Sequence, residues 1–324
     1  MLLKVKNISF NYKNQTAFTG ITNVSFEVND GEVLALLGPS GEGKTTLVKC
    51  VYGLEDITEG EIIFNKQKVL GPSYNLIPGY PDMKLVSQDY YVLDNHSVEE
   101  NIKDMLIGFT DEYKEKRSRK ILKLLELESI KHLKAKNLSS GQKQRVAIAR
   151  ALTSFPKLLL LDEPFSNLDK ILKDKLFDFI IHEAQKKHCG VILITHQAEE
   201  ALKYADRIAV VVSGKIAQIG SKEQVYYKPK NLKIAKILGD YNVIEHLDFE
   251  KTSTHFKNKK RALLRPNQFS DCAKKEADIS VVVLNCFFNG KCYELFAKTK
   301  SGKEIIIYYH HAKAKEEQLF FNIE

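Results

Sequence analysis

Two short runs in this chain have residue types and spacings that could do chemistry. Gly38-Pro39-Ser40-Gly41-Glu42-Gly43-Lys44-Thr45-Thr46 has the spacing G-x-x-x-x-G-K-[ST]. Glycines in such a run let the backbone turn sharply and aim N–H groups at phosphate oxygens. The lysine can reach the β- and γ-phosphates, and the hydroxyl that follows can ligate Mg²⁺. The run therefore predicts a nucleotide phosphate site with Lys44 and Thr45 at its centre. The second run, Lys157-Leu158-Leu159-Leu160-Leu161-Asp162-Glu163-Pro164, ends in two carboxylates. Asp162 is placed to hold Mg²⁺ through water, and Glu163 to orient and deprotonate an attacking water. Carboxylates this close repel one another unless a divalent cation lies beside them.

The elements that must position these groups follow from the hydrophobic pattern. Glu32 to Leu37 reads as a buried strand entering the phosphate loop, and Thr46 to Tyr52 as a helix leaving it. That order sets phosphates at a helix N-terminus, where the dipole favours anions. Further apolar strands are expected at Leu158–Leu161, Val191–Ile194 and Ile208–Val212, each nearly continuous in hydrophobicity, as strands of a covered parallel sheet are. Residues 1–30 alternate polar and apolar, which predicts half-buried antiparallel strands. Between about 98 and 154 the sequence turns helical. Ile121, Leu124, Leu125 and Glu128 keep an i, i+3, i+4 spacing, and such an insert is expected to sit apart from the sheet. Ser213-Gly214-Lys215 reads as a hairpin turn. After about Gly239 alternating strands replace helical periodicity, at Ile279–Leu284, Cys292–Lys298, Glu304–Tyr309 and Gln318–Ile323. The expected fold is α/β: a phosphate-loop NTPase core with a mostly parallel sheet, an antiparallel β-subdomain and a helical insert over 1–239, then a small antiparallel β-barrel-like domain over 240–324.

At 324 residues the chain can hold two domains, and 44% hydrophobic with 28% charged residues is ordinary for a soluble protein. No apolar run approaches a bilayer span, and the N-terminus lacks a secretory pattern, so a cytoplasmic location is expected. Work at a membrane would need other chains to supply the spanning helices. Five cysteines with no C-x-x-C pair fit reduced thiols. Net charge is +8, and Lys257-Asn258-Lys259-Lys260-Arg261 reads as a solvated loop rather than a nucleic-acid or anionic-lipid patch.

Leu138-Ser139-Ser140-Gly141-Gln142, followed by a helical run, makes a resemblance plain. The chain resembles the nucleotide-binding subunit of an ATP-binding-cassette (ABC) transporter over about residues 1–235. The family's signature, Leu-Ser-Gly-Gly-Gln, caps the γ-phosphate of ATP held by a second subunit's phosphate loop; here Ser140 stands where the family usually has Gly. By this resemblance Ser139 supplies a hydroxyl, Gly141 allows close backbone approach, and Gln142 belongs to the same cap, at the positive end of a helix. Tyr12 matches the aromatic that stacks on adenine, with Phe10 as the alternative. Gln88 matches a glutamine that contacts Mg²⁺ and water and links the site to the membrane partner. Ser166-Asn167-Leu168-Asp169 resembles the loop that crosses the dimer interface, and His196 the histidine that contacts the γ-phosphate. Leu264-Arg265-Pro266-Asn267, with the strands after it, resembles the TOBE domain of importer ATPases, although Asn267 replaces the usual Glu.

The resemblance implies two cassettes binding two ATP molecules between them, with Mg²⁺ as cofactor. It implies permease subunits moved through the region Gln88–Leu93, a solute-binding protein acting indirectly outside the cell, and attachment to the inner membrane face. Nucleic acid is not an expected partner. Glu163, His196, Gln88 and Lys44 would be catalytic. Ferric iron or a polyamine is the cargo this permits. An exporter subunit, or a soluble ABC ATPase acting on ribosomes or DNA, are the alternatives. One phosphate loop, one signature and no sustained heptads favour transport over the soluble type. The C-terminal β-domain reads as a dimer-stabilising appendage in preference to a small-molecule sensor.

Overall fold

In the computed structural model, residues 1–12, 20–75, 77, 79–80, 82–87, 91–165, 168–249 and 260–323 are described. They divide into two units, Met1–Val225 and Tyr226–Glu324. Among the described residues no helix is long and apolar enough to cross a membrane.

The first unit begins with β1 (Leu3–Asn11) and β2 (Gly20–Val28), whose alternating burial matches their alternating sequence. Strand β3 (Val33–Leu37) is apolar throughout and buried at every position. Helix α1 (Lys44–Tyr52) starts at Gly43 and stops at Gly53, both in the left-handed region. Strands β4 (Glu59–Phe64) and β5 (Gln67–Lys68) complete an antiparallel sheet of order β2-β1-β4-β5. Strand β6 (Met83–Val86) leads to the helical stretch. There α2 (Val98–Lys103) has a Ser97–Glu100 capping box, α3 (Asp111–Leu124) a Thr110 cap, and α4 (Ser140–Thr153) a Ser139–Gln142 capping box. The chain then alternates β7 (Leu158–Asp162), α5 (Lys170–Lys187), β8 (Gly190–Thr195), α6 (Ala198–Tyr204), β9 (Arg207–Val212) and β10 (Lys215–Ser221). The second sheet has the order β10-β9-β3-β8-β7-β6, parallel except for the β9–β10 hairpin.

Two expectations for the helical stretch need correction. The period through Ile121, Leu124, Leu125 and Glu128 outruns its helix: α3 ends at Leu124, and Glu128 opens a separate 3₁₀ turn. Nor does the insert stand wholly apart from the sheet. Lys84 of edge strand β6 donates to the Ser154 hydroxyl at 2.6 Å, just past the end of α4. Arg117 of α3 donates to the Leu152 and Thr153 carbonyls at that same end, and pairs with Glu183 of α5 at 3.2 Å.

Helix α7 (Lys222–Tyr227) carries the division between units, and α8 (Leu232–Ile237) belongs to the second. In that unit β11 (Asn242–Glu245) pairs with β12 (Arg261–Leu264). Strands β13 (Phe269–Asp271), β14 (Ile279–Phe288), β15 (Tyr293–Thr299), β16 (Glu304–Tyr309) and β17 (Gln318–Ile323) form an antiparallel sheet of order β13-β17-β14-β15-β16. Strand β14 runs past the expected Leu284 because a register shift between Val283 and Asn285 lets pairing with β15 resume. The ladder does not close into a full barrel among the described residues. Instead the Asn242 side chain accepts from the Ile306 N–H (2.8 Å) and donates to its carbonyl (2.6 Å), tying β11 to the edge strand β16. The expected boundary at 239/240 falls later than the observed division, because fully buried Arg265 gathers the preceding segment. Its guanidinium donates to the carbonyls of Tyr226, Ala235, Gly239 and Asp240, and lies 4.2 Å over the Tyr226 ring.

Candidate nucleotide site

The phosphate loop joins the C-terminal end of β3 to α1, and its glycines are required by space and conformation. A Cβ on Gly38 would lie 2.4 Å from the Val211 carbonyl oxygen. Gly43 has φ +90°, a left-handed value that L side chains rarely adopt. Lys44, only 5% exposed, folds back into the loop, and its Nζ donates to the Gly38 and Pro39 carbonyls at 2.7 Å each. Burial lowers the Lys44 pKa, against the opposing charges of Glu163, Asp162 and Glu42. The β9–β10 turn braces the loop from outside: Ser213 N–H donates to the Glu42 carboxylate, and Gly214 N–H to the Glu42 carbonyl at 3.3 Å.

Strand β7 delivers the two carboxylates to the same end of the sheet. Thr45 Oγ1 donates to Asp162 Oδ1 at 3.2 Å, so residues 117 positions apart in sequence meet at α1. Asp162 is 4% exposed; burial pushes its pKa up, the Thr45 bond opposes that, and the Glu163 charge adds to it. Glu163 has φ 47°, and its N–H donates to the Ile194 carbonyl of β8 at 3.2 Å. Its Oε1 lies 3.1 Å from His196 Nδ1, just beyond β8. The order β3-β8-β7 thus brings the loop, the carboxylates and the histidine to one edge, the carboxyl ends of parallel strands, where open α/β sheets bind ligands. A Thr hydroxyl touching a carboxylate is a set of hard oxygen donors, which suits Mg²⁺.

Tyr12 is half-buried beside α1, its hydroxyl 3.3 Å from Thr46 Oγ1, while Phe10, edge-on at 4.8 Å between ring centres, is buried in the core. Ser139 sits elsewhere in its chemistry: its hydroxyl accepts from Gln142 N–H at 3.3 Å, and its own N–H donates to Gln142 Oε1 at 2.9 Å. No hydrogen bond joins Ser139, Ser140 or Gln142 to the phosphate loop of the same chain among the described residues. A Cβ on Gly141 would meet nothing within 4 Å, which leaves the backbone open to approach. Asp169 caps α5, its Oδ1 accepting from Leu172 N–H at 3.0 Å. Gln88, Ser166, Asn167 and the basic residues 257–259 lie outside the described residues.

Sequence reasoning missed two groups next to this edge. Gln144 of α4 donates from Nε2 to the Pro164 carbonyl at 2.8 Å. Glu200 accepts from Thr195 Oγ1 at 2.6 Å and pairs with Lys173 at 2.7 Å, binding the ends of β8, α5 and α6 together. Neither has a motif, since one partner is a backbone carbonyl and the others are scattered singly along the chain.

Residues 21–166 match the family described as ABC transporter. The chain is 35% identical to a spermidine/putrescine import ATP-binding protein, PotA, of Legionella pneumophila, with 94% of this chain and 89% of that protein covered. It is 33% identical to an Fe(3+) ions import ATP-binding protein, FbpC 2, of Haemophilus influenzae, covering 92% and 86%. Among solved structures it resembles an ATP-binding subunit of an ABC transporter (28% identity, TM-score 0.62, 69% and 92% covered). It also resembles a dimeric ATP-binding cassette in a post-hydrolysis state with ADP and Pi bound (26% identity, TM-score 0.60, 68% and 99% covered).

Proposed function

The chain belongs to the ABC transporter family as an ATP-binding, ATP-hydrolysing subunit of the importer group, and from that premise we propose which residues work. The loop Gly38–Thr46 binds the ATP phosphates, with Lys44 on the β- and γ-phosphates and Tyr12 against the adenine. Thr45, Asp162 and Gln88 hold Mg²⁺, which when bound offsets the charge of the phosphates. Glu163 takes the proton of the attacking water, and His196, 3.1 Å from it, holds that carboxylate and meets the γ-phosphate. Ser139, Gly141 and Gln142, with Asp169 behind the interface loop, complete the site of a second cassette. That arrangement accounts for a signature whose Ser139 and Gln142 side chains, among the described residues, hydrogen-bond within their own helix cap.

The observation that carries this reading is the meeting of Thr45, Asp162, Glu163 and His196 at the mouth of the phosphate loop. Closure of two such chains over two ATP molecules would move permease subunits docked beside Gln88. On the first unit a groove of about 280 Å³, lined by Tyr52, Lys84, Tyr91, Met105 and Arg150, offers a surface for such a subunit. The subunit works at the inner face of the membrane, with a solute-binding protein feeding the permease from outside. A polyamine or ferric iron is the proposed cargo, in line with the named relatives. Glu163→Gln should bind ATP and trap a closed dimer while hydrolysis falls about a hundredfold or more. Undiminished turnover by the purified variant would remove Glu163 from its role.

A further inference from the structure

Gln144 is a residue near the site that the proposed chemistry leaves unused. It lies on the second turn of α4, 6% exposed, with Nε2 donating to the Pro164 carbonyl. Proline has no N–H, so only the donor half of the amide can face that backbone. The other half, Oε1, is buried with no hydrogen-bond partner among the described residues. Burying an unpaired amide oxygen costs free energy, and a methionine of similar volume would fill the space without it. Packing alone therefore gives no reason for a glutamine here.

What Gln144 holds is informative. Pro164 follows Glu163 directly, and Glu163 has the left-handed φ of 47° that a non-glycine residue adopts at a cost. Strand β8 grips this segment through Ile194, and α5 through the Phe165–Phe177 edge contact at 4.7 Å. Gln144 adds a third grip, from the helix whose first turn carries Ser139. A 14-residue helix moves as a rod, so a shift at Ser139 arrives at Pro164 through one hydrogen bond.

We propose that Gln144 is a positioning residue that carries the docking of a phosphate at Ser139, in one site of the dimer, to the Glu163 carboxylate working in the other. The inference rests on the reading above, in which Ser139 completes the partner's site and Glu163 acts in its own. Dimers assembled from two differently tagged full-length chains test it, loaded with ATP and read in a single round of phosphate release. Wild-type chain paired with Glu163→Gln keeps one working carboxylate and sets the reference. With Gln144→Met in the chain that retains Glu163, release should slow about tenfold or more. With Gln144→Met in the Glu163→Gln chain, it should stay within about twofold of the reference. ATP affinity should be unchanged in both.

Equal slowing in the two arrangements, slowing confined to the second, or none in either would overturn the relay. So would loss of the fold in both Gln144→Met and Gln144→Leu, which would make the contact a packing requirement. A reference pair as active as the all-wild-type dimer would instead sink the role of Glu163, so the two failures are distinguishable.

Discussion

Lys84→Met should stabilise the first unit at neutral pH and flatten its response to alkali. Lys84 is largely buried on β6, and burial lowers its pKa from 10.5 to about 8, with the positive charges of Arg150 and Arg117 adding to the shift. A lysine with a lowered folded-state pKa binds fewer protons folded than unfolded between those two values. Stability therefore rises with pH in that window, and below about pH 8 the cost of the buried charge is fully present. Linkage with these two pKa values makes the wild type gain about 2 kcal/mol relative to Lys84→Met between pH 7 and pH 9.5. Met also forfeits the bond to the Ser154 hydroxyl, roughly 1–2 kcal/mol at neutral pH, where the donor is charged. Urea unfolding of both proteins, followed by circular dichroism at several pH values, measures the difference. Parallel pH profiles, diverging by less than about 0.5 kcal/mol, would refute the claim that Lys84 is held charged at a cost.

Lys44→Ala should raise the dissociation constant for ATP about tenfold or more, measured by nucleotide titration, since it removes the ammonium that the loop carbonyls of Gly38 and Pro39 hold in place. Arg117→Met should destabilise the first unit by about 3 kcal/mol at pH 7, because it breaks a buried pair and strands two helix-end carbonyls. Burial alone would raise the Glu183 pKa, but Arg117, Lys120 and Lys187 hold it below its ordinary 4.5. The stability this carboxylate contributes is present above that value and is lost as pH falls through the folded-state one, so wild type and Arg117→Met should converge in acid denaturation curves. Arg265→Leu should cost the second unit about 3 kcal/mol or more, read as a lower melting temperature of its β-structure, by leaving four carbonyls without their donor.

The parallel core was legible because β3, β7, β8 and β9 are apolar almost throughout, and few other environments tolerate such runs. Strand β4 was not, since Glu-Gly-Glu occupies its first half and only Ile62 and Phe64 are buried. Strand β5 has two exposed residues and no pattern to read. The end of α3 was overrun because Leu125 and Leu127 stay buried after the helix stops, so the apolar spacing outlasts the hydrogen bonding. In the candidate site, the motif residues stood out because a phosphate or metal contact would demand a particular side chain at each position. Gln144 and Glu200 were not, because their partners are a backbone carbonyl, a threonine at the end of β8 and a lysine of α5, none of them part of a motif.

The central place of β3 carries a consequence for how the protein is made. Its neighbours in the sheet are β8 and β9, so Leu34 lies beside Ile192 and Arg207. A ribosome adding about 5–20 residues per second finishes the phosphate loop roughly 10–30 s before both flanking strands exist. Until β8 is made Val33–Leu37 is an apolar strand with both edges open, and until β9 is made one edge stays open, a template for mispairing between nascent chains. Chaperone demand should therefore be concentrated in synthesis of residues 38–212, and a chain released before β9 should aggregate rather than bind nucleotide.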